Sequence, residues 1–255
     1  MSNIIPLFTS DYSIGRSILP INKAGEIVEN APVSIVSIAQ KYKIDPCYII
    51  DDNLTGFIKT YKYFEEIKQQ FIFGLKIIVV QDINKKDQDS LDHECKVVVF
   101  MKNSEGYSDL IRIFSHAATD GKYYVPRTSW SDLKRLWSKN LILAVPFFDS
   151  FLHVNLLTNG KCIPDFPDDP IFFKEKHNLP FNFLIEEAVD KYCEQYKFKT
   201  QNVHSIYYFK NEDITAYTCF RAIGTRGSFN LPGLNHFGSN DFSFESYLSR
   251  IGKTT

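Results

Sequence analysis

Asp51 and Asp52 stand directly after the apolar run CYII (47–50), where an interior strand is expected to end. Adjacent carboxylates there suit either of two roles: an N-cap with its neighbour for the following helix, or part of a polar pocket. The other chemistry-bearing groups are scattered. His93-Glu94-Cys95 puts three metal-ligand types in a row, but at the end of the charged segment NKKDQDSLDHE (84–94), which reads as a surface loop. Asp165, Asp168 and Asp169 in PDFPDDP (164–170) sit among prolines that favour a rigid surface turn, without the glycine that bends a calcium loop. The six His are isolated from one another. Phosphate-cradling, serine-nucleophile, zinc-protease and dinucleotide signatures are absent. The stretch LFTSDYS (7–13) looks like a strand end delivering side chains to a site, yet it holds no His, Cys or Glu. It has the frame of an active site without the reactive groups.

The elements that would position such groups follow from hydrophobic periodicity. The chain has 255 residues, 44% hydrophobic, with 22 Phe and 14 Tyr, enough apolar material for one large core. PCYIID (46–51), FIFGLKIIVVQDI (71–83), CKVVVFMK (95–102), LILAVPF (141–147) and VHSIYYF (203–209) read as strands. FIKTYKYFEEIKQQ (57–70) reads as an amphipathic helix with Phe57, Tyr61 and Phe64 on one side. SEGYSDLIRIFSHAA (104–118) reads as a helix capped by Ser104, with Glu105 and Asp109 in its first turns. FNFLIEEAVDKYCEQY (181–196) and NEDITAYTCFRAI (211–223) are further helices. Strands separated by helices predict parallel βαβ units in one α/β domain over 1–255, with chemistry at the carboxyl ends of the strands. The Gly-, Asn- and Ser-rich end predicts an extended C-terminal arm at about 224–255.

Charge and cysteine usage narrow the function classes. Twenty-nine Lys and Arg against 30 Asp and Glu give a net charge of −1, so direct nucleic-acid binding is expected to be weak or absent. Five widely spaced Cys without a C-x-x-C pair predict reduced thiols rather than a zinc ribbon or a disulfide framework. The N-terminus lacks the pattern of a signal peptide, and no apolar run approaches the ~20 residues of a membrane span. These features predict a cytoplasmic protein without membrane contact. The Lys/Ile/Asn/Phe-rich composition suits a viral or mobile-element gene acting in a host cytoplasm.

Four stretches in order carry a family resemblance: SDYS (10–13), NLTGFIKTYKYFEEIKQQFIFGLK (53–76), KVVVFMKNSEGYSDLIRIFS (96–115) and GKYYVPRTSW (121–130). The chain resembles the polymerase and histidinol phosphatase (PHP) domain of bacterial replicative DNA polymerase alpha subunits. YYFKNEDITAYTCFRAIGT and DFSFESYL extend the match over nearly the whole length, and KNSEGYSDL is its most specific element. The resemblance implies a distorted (β/α)7 PHP-type barrel. In active members, His, Asp, Glu and Cys ligands at the strand ends hold metals that generate a hydroxide and hydrolyse phosphate esters.

Placed on this chain, the ligand positions implied by the resemblance fall on Leu7, Thr9, Arg16, Asp51 or Asp52, Lys76, Lys96, Phe147, Ser205 and Tyr207. Only Asp51 or Asp52 is a competent metal ligand among them. The pocket is therefore expected to be degenerate, with no catalytic residue and no metal ligand set. Arg16, Lys76 and Lys96 are expected to balance Asp51 and Asp52 in an internal salt-bridge cluster, and are the candidate anion-binding residues. The implied function is a non-catalytic scaffold or modulator in DNA replication, contacting a DNA polymerase or a proofreading exonuclease. Tyr123, Tyr124, Trp130 and Trp137 are its candidate contact surface. The alternatives are a metal-dependent phosphoesterase or 3'-5' exonuclease with a rearranged site, or a phosphate- or nucleotide-binding module without hydrolysis. No cofactor is expected in the first reading; Mn or Zn at a site the family does not use belongs to the enzyme alternative.

Overall fold

The computed structural model describes residues 4–26, 29, 31–225 and 239–253. Strands and helices alternate through these residues. Eight strands are β1 Ile5–Phe8, β2 Cys47–Asp51, β3 Phe71–Val80, β4 Cys95–Met101, β5 Arg127–Ser129, β6 Leu141–Val145, β7 Ile171–Lys174 and β8 Lys199–Ile206. The helices are α1 Ile35–Tyr42, α2 Phe57–Glu66, α3 Gln88–Leu91, α4 Ser104–Thr119, α5 Trp130–Leu136, α6 Phe151–Leu157, α7 Asn182–Tyr196, α8 Ile214–Thr225 and α9 Phe244–Arg250. Among the described residues, no helix is long and apolar enough to cross a membrane. The fold class is α/β, with strands and helices alternating along the chain.

The chain groups into two compact units: Met1–Phe73, Lys176–Pro180 and Asn202–Thr255 form one, and Gly74–Glu175 with Phe181–Gln201 the other. In the first, β1 runs parallel to β2, Leu7 opposite Tyr48, and parallel to β8, Leu7 opposite Ser205. Phe8, Leu19, Ile21, Ile49, Phe64 and Phe73 are essentially fully buried in it. Ser34 caps α1 through its hydroxyl, which accepts from the Ser37 amide. Gly15 (φ +74°) has a built-in reason to lack a side chain, since a Cβ there would meet the Gly224 Cα at 2.7 Å. These two glycines let the turn after β1 pass against the end of α8.

In the second unit, β3 pairs parallel with β5, Ile78 opposite Arg127. β6 likewise runs parallel to β7. β4, however, is antiparallel to both β3 and β6, with Ile78 opposite Lys96 and Val98 opposite Ala144. This corrects the expectation of parallel βαβ units throughout. Residues 81–94 hold only the four-residue α3, so the chain returns beside β3 without the full crossover helix a parallel neighbour needs. An aromatic cluster of Phe151, Phe166, Phe172, Tyr192 and Phe198, with neighbouring centroids 5–6 Å apart, fills the space under β7.

Further differences are local. The cap of α4 is Asn103, whose side chain accepts from the Gly106 amide, and Ser104 is the first helical residue. On α2 the buried stripe is Phe57, Thr60 and Phe64; Tyr61 is exposed and touches Phe71 edge-on. The expected extended arm falls partly outside the described residues. Its described end forms α9, with Phe242 and Phe244 fully buried, because aromatic residues there find a core to enter. Trp130, expected on a contact surface, is buried as the first residue of α5.

Candidate functional site

The turn after β1 in the first unit brings Ser10 and Ser13 to the end of β2. The Ser10 amide donates to Asp51 Oδ1 at 2.8 Å, the Ser10 hydroxyl to Oδ2 at 2.7 Å, and the Ser13 hydroxyl to Oδ1 at 2.9 Å. Asp51 is buried, so the donors replace water around its carboxylate. Burial is the largest influence and lifts its pKa to about 6, against the pull of the serine hydrogen bonds. Asp52 is exposed, and its amide donates to the Ser13 hydroxyl at 3.0 Å. Neither caps α2, whose N-cap is Gly56 without a side-chain bond; Asp51 belongs instead to a buried cluster with Ser10 and Ser13.

The second unit holds a different cluster. Lys76 Nζ lies 3.2 Å and Lys96 Nζ 3.0 Å from the same oxygen of Asp149. Lys76 is in the middle of β3 and Lys96 at the start of the inverted β4, while Asp149 follows β6. The Lys96 amide also donates to the Asp149 carbonyl at 2.8 Å, locking that strand start to the loop. Ser150 caps α6 by accepting from the His153 amide, which turns the histidine back toward Asp149. His153 Nδ1 then accepts from the Asp149 amide at 3.3 Å. His153 is buried, and desolvation first, then the two ammonium groups, hold its pKa below the ordinary value against the attraction of Asp149. A neutral imidazole that accepts at Nδ1 carries its proton on Nε2.

The charge balance expected for the pocket is thus corrected in its partners. Lys76 and Lys96 pair with Asp149, a residue the sequence reading did not single out, whereas hydroxyl and amide donors hold Asp51. Asp149 follows Phe147 by two positions in LILAVPFFDS (141–150). The signal that could have found it is a lone carboxylate just past a strand end. Arg16 is half-buried in the turn after β1, its amide donating to the Ser13 carbonyl at 2.9 Å. Leu7 and Phe147 are buried apolar side chains. Thr9 and Ser205 are half-buried, and Tyr207 stacks on Tyr217 at 5.7 Å and on Phe242 at 5.4 Å.

The implied metal cluster does not fit these residues. An ammonium has no lone pair to donate and repels a dication, and two of them share the carboxylate after β6. Among the described residues, no three His, Cys, Asp or Glu side chains form a group suited to a metal ion. His93 and Glu94 also fail to converge on a ligand set: Glu94 pairs with the fully buried Arg127 at 3.1 Å, and His93 Nδ1 lies 3.0 Å from the Asp89 carbonyl. Asp165 pairs with Lys134. What the Lys76–Asp149–Lys96 group can do is hold charge at this place without a metal, its two ammonium groups sharing one carboxylate oxygen.

Of the candidate contact residues, Tyr124 is 82% exposed at a positive φ of 59°, and packs its ring 4.5 Å from that of Tyr123. The Arg127 guanidinium lies 4.8 Å from the Tyr123 ring centroid, with its own donors fixed on the Gly121 and Lys85 carbonyls and on Glu94. Tyr123 and Tyr124 therefore stand on a rigid base. Trp137 is half-buried and Trp130 is inside.

Comparison with known proteins agrees with this architecture. The chain is 24% identical over 251 residues to the DNA polymerase III subunit alpha of Borreliella burgdorferi, a match covering 93% of this chain and 21% of that protein. It spans about a fifth of the length of that curated relative. A family model described as the PHP domain matches residues 10–168, more than half of the sequence and including both the Ser10–Asp51 and Lys76–Asp149 groups. On that match, the chain belongs to the PHP domain family.

Proposed function

We propose that this chain is a non-catalytic member of the PHP family that serves DNA replication through protein contacts, as a scaffold or modulator of a DNA polymerase or a proofreading exonuclease. The observation that carries the reading is the pairing of Lys76 and Lys96 with one oxygen of Asp149. Fixed cations occupy positions that the family resemblance assigns to metal ligands, so the charge a metal would supply is already built into the protein. The replication link rests on the similarity to a DNA polymerase III alpha subunit. The exposed Tyr124 on its Arg127-braced base supports a surface made for contact, since an exposed non-glycine residue at positive φ is strained without serving the core.

The test has two arms. Purified protein is incubated with Mn or Zn and with single-stranded DNA or nitrophenyl phosphate, and the same protein is titrated against purified polymerase and exonuclease. The reading expects no turnover above buffer and saturable binding that Tyr124→Ala weakens at least ~10-fold, as for a hot-spot aromatic. Turnover abolished by Asp51→Asn with Asp52→Asn would favour the enzyme alternative. Phosphate binding without hydrolysis is the second reading, favoured by the convergence of two ammonium groups, Lys76 and Lys96, on one place. It predicts that phosphate affinity falls in Lys76→Gln and Lys96→Gln.

A further inference from the structure

Two of the five cysteines meet inside the second compact unit. Cys95 is the first residue of β4, opposite Val79 of β3. Cys162 lies between α6 and β7. Both side chains are buried, and the two thiols are hydrogen-bond partners of one another. The backbone around Cys162 is fixed from three sides. The Cys162 amide donates to Asn155 Oδ1 at 2.8 Å, and Asn155 Nδ2 donates to the Cys162 carbonyl at 2.8 Å. The Lys161 amide donates to the Asp92 carbonyl at 2.9 Å, and the Gln81 side chain donates to the Ile163 carbonyl. These bonds bring residues 161–163 alongside the chain that enters β4, so the backbone itself sets the meeting of the two sulfurs. Lys161 and Ile163, on either side of Cys162, are exposed. The thiol pair thus lies directly beneath a surface segment.

Two apolar side chains would fill this space as well, but touching thiols add a chemistry that those lack. The attacking form of a cysteine is its thiolate. The Cys95 thiol, donating to Cys162, lowers the Cys162 pKa against burial and the Glu94 carboxylate. The same contact, with burial, keeps Cys95 protonated. We propose that Cys95 and Cys162 are a reversible redox pair, closed to an intrachain disulfide by a peroxide and reopened by a thiol reductant. The Cys162 sulfur attacks one oxygen of hydrogen peroxide, the O–O bond breaks, and the other oxygen leaves as water with the Cys162 proton. Cys162 is then a sulfenic acid. The Cys95 sulfur attacks the Cys162 sulfur, the S–O bond breaks, and the hydroxyl leaves as a second water with the Cys95 proton. Two thiols are oxidised and one peroxide is reduced. Closure staples the segment after α6 to the start of β4, next to Lys96 of the group that holds Asp149. In a reducing compartment such a bond is transient and reports redox state. The inference does not depend on the function proposed above.

Hydrogen peroxide treatment of the reduced whole protein tests it, followed over time by alkylation and peptide mass mapping. The exposed Cys219 is replaced by Ser to prevent cross-links between molecules. The Cys95 and Cys162 peptides are expected to become joined with the loss of two hydrogens, and to separate again with dithiothreitol. The pair is expected to be consumed at least ~10-fold faster than Cys47 and Cys193, which are buried too. Cys95→Ala removes the second thiol, and a sulfenic acid trapped by dimedone is then expected on Cys162. Cys162→Ala is expected to leave Cys95 unmodified over the same time, with thermal unfolding run alongside to show that each variant is folded. Amide hydrogen exchange over residues 159–163 is expected to slow in the oxidised protein and to recover on reduction. Oxidation of the pair no faster than that of Cys47 and Cys193 overturns the proposal. So does a disulfide that forms only once urea has unfolded the protein, or oxidation of Cys162 to a sulfinic acid with Cys95 left free.

Discussion

At Asp51 a carboxylate is held by donors that would suit a neutral acceptor almost as well. Its folded pKa, about 6, lies above the ordinary 3.8 because burial outweighs the serine hydrogen bonds. The stability it contributes is therefore complete below about pH 4 and is lost as pH rises through 6, by roughly 3 kcal/mol at most. Asp51→Asn is expected to remove this slope and to be the more stable protein above pH 6. The Asn carbonyl can accept from the Ser10 amide and the Ser13 hydroxyl, and its amide can donate to the Ser10 hydroxyl. Urea unfolding of both proteins from pH 4.5 to 8 checks it; equal slopes would show that Asp51 keeps its charge without cost. Asp149 is the opposite case, a carboxylate whose removal takes a shared acceptor from two cations. Asp149→Ala is expected to cost about 2–4 kcal/mol, moderated because Lys76 and Lys96 keep some contact with water. Replacing the trio by Lys76→Met, Lys96→Met and Asp149→Leu is expected to recover most of that loss. No local sequence pattern shows this trio, since Asp149 is 73 residues from Lys76 and 53 from Lys96. The type of chemistry was legible, cations where ligands would stand, but its partner was not.

Elements with a continuous apolar run were legible, and those defined by tertiary contacts were not. β2, β3, β4 and β6 are Val-, Ile- and Leu-rich and buried, and they stood out as strands. β5 is Arg-Thr-Ser, all three buried, and only its place beside β3 makes it a strand. β7 is four residues after a Pro-rich stretch, too short for a period to show. The orientation of β4 was equally hidden, because strand patterns read the same in both directions. Caps are legible only within a residue, since Asn103 and Ser104 are both good caps by type. The geometry chooses Asn103, so Asn103→Ala is expected to cost about 1 kcal/mol and Ser104→Ala only a few tenths. Reversed costs in thermal unfolding would return the cap to Ser104. Gly121 ties α4 to β5: a Cβ there would sit 1.8 Å from the Arg127 carbonyl oxygen, a backbone atom with little freedom to yield. Gly121→Ala is expected to destabilise by about 1–3 kcal/mol and to loosen the base under Tyr123. Weaker quenching protection of the Tyr123–Tyr124 pair in that variant, read by tyrosine fluorescence, would accompany it.

For the molecule as a whole, the order of the matched stretches carried the family assignment, because each apolar run and helix had to fall in sequence for the fold to form. A net charge of −1 gives no general field for polyanions or for metal cations. This sets a sharp expectation for metal linkage. A metal bound only by the folded protein adds about 2.7 kcal/mol of stability at one hundred times its dissociation constant. For a chain of this size, that corresponds to a rise in unfolding temperature of roughly 5–10 °C. With Lys76 and Lys96 already on Asp149, millimolar Mn or Zn is expected to leave the unfolding temperature unchanged within about 1 °C. Prior treatment with a chelator is expected to have no effect either. Restoring ligand chemistry should reverse this only if the strand-end frame has survived intact. Lys76→Glu with Lys96→His places a carboxylate and an imidazole beside Asp149, in reach of one another by the pairing the lysines now make. A metal-dependent rise of several degrees in that double variant, absent from the parent, would show that two side-chain changes separate a salt-bridged barrel from a metal-binding one. A rise in the unaltered protein would show instead that a dication competes successfully with both lysines for Asp149, and the non-catalytic reading would fall with it.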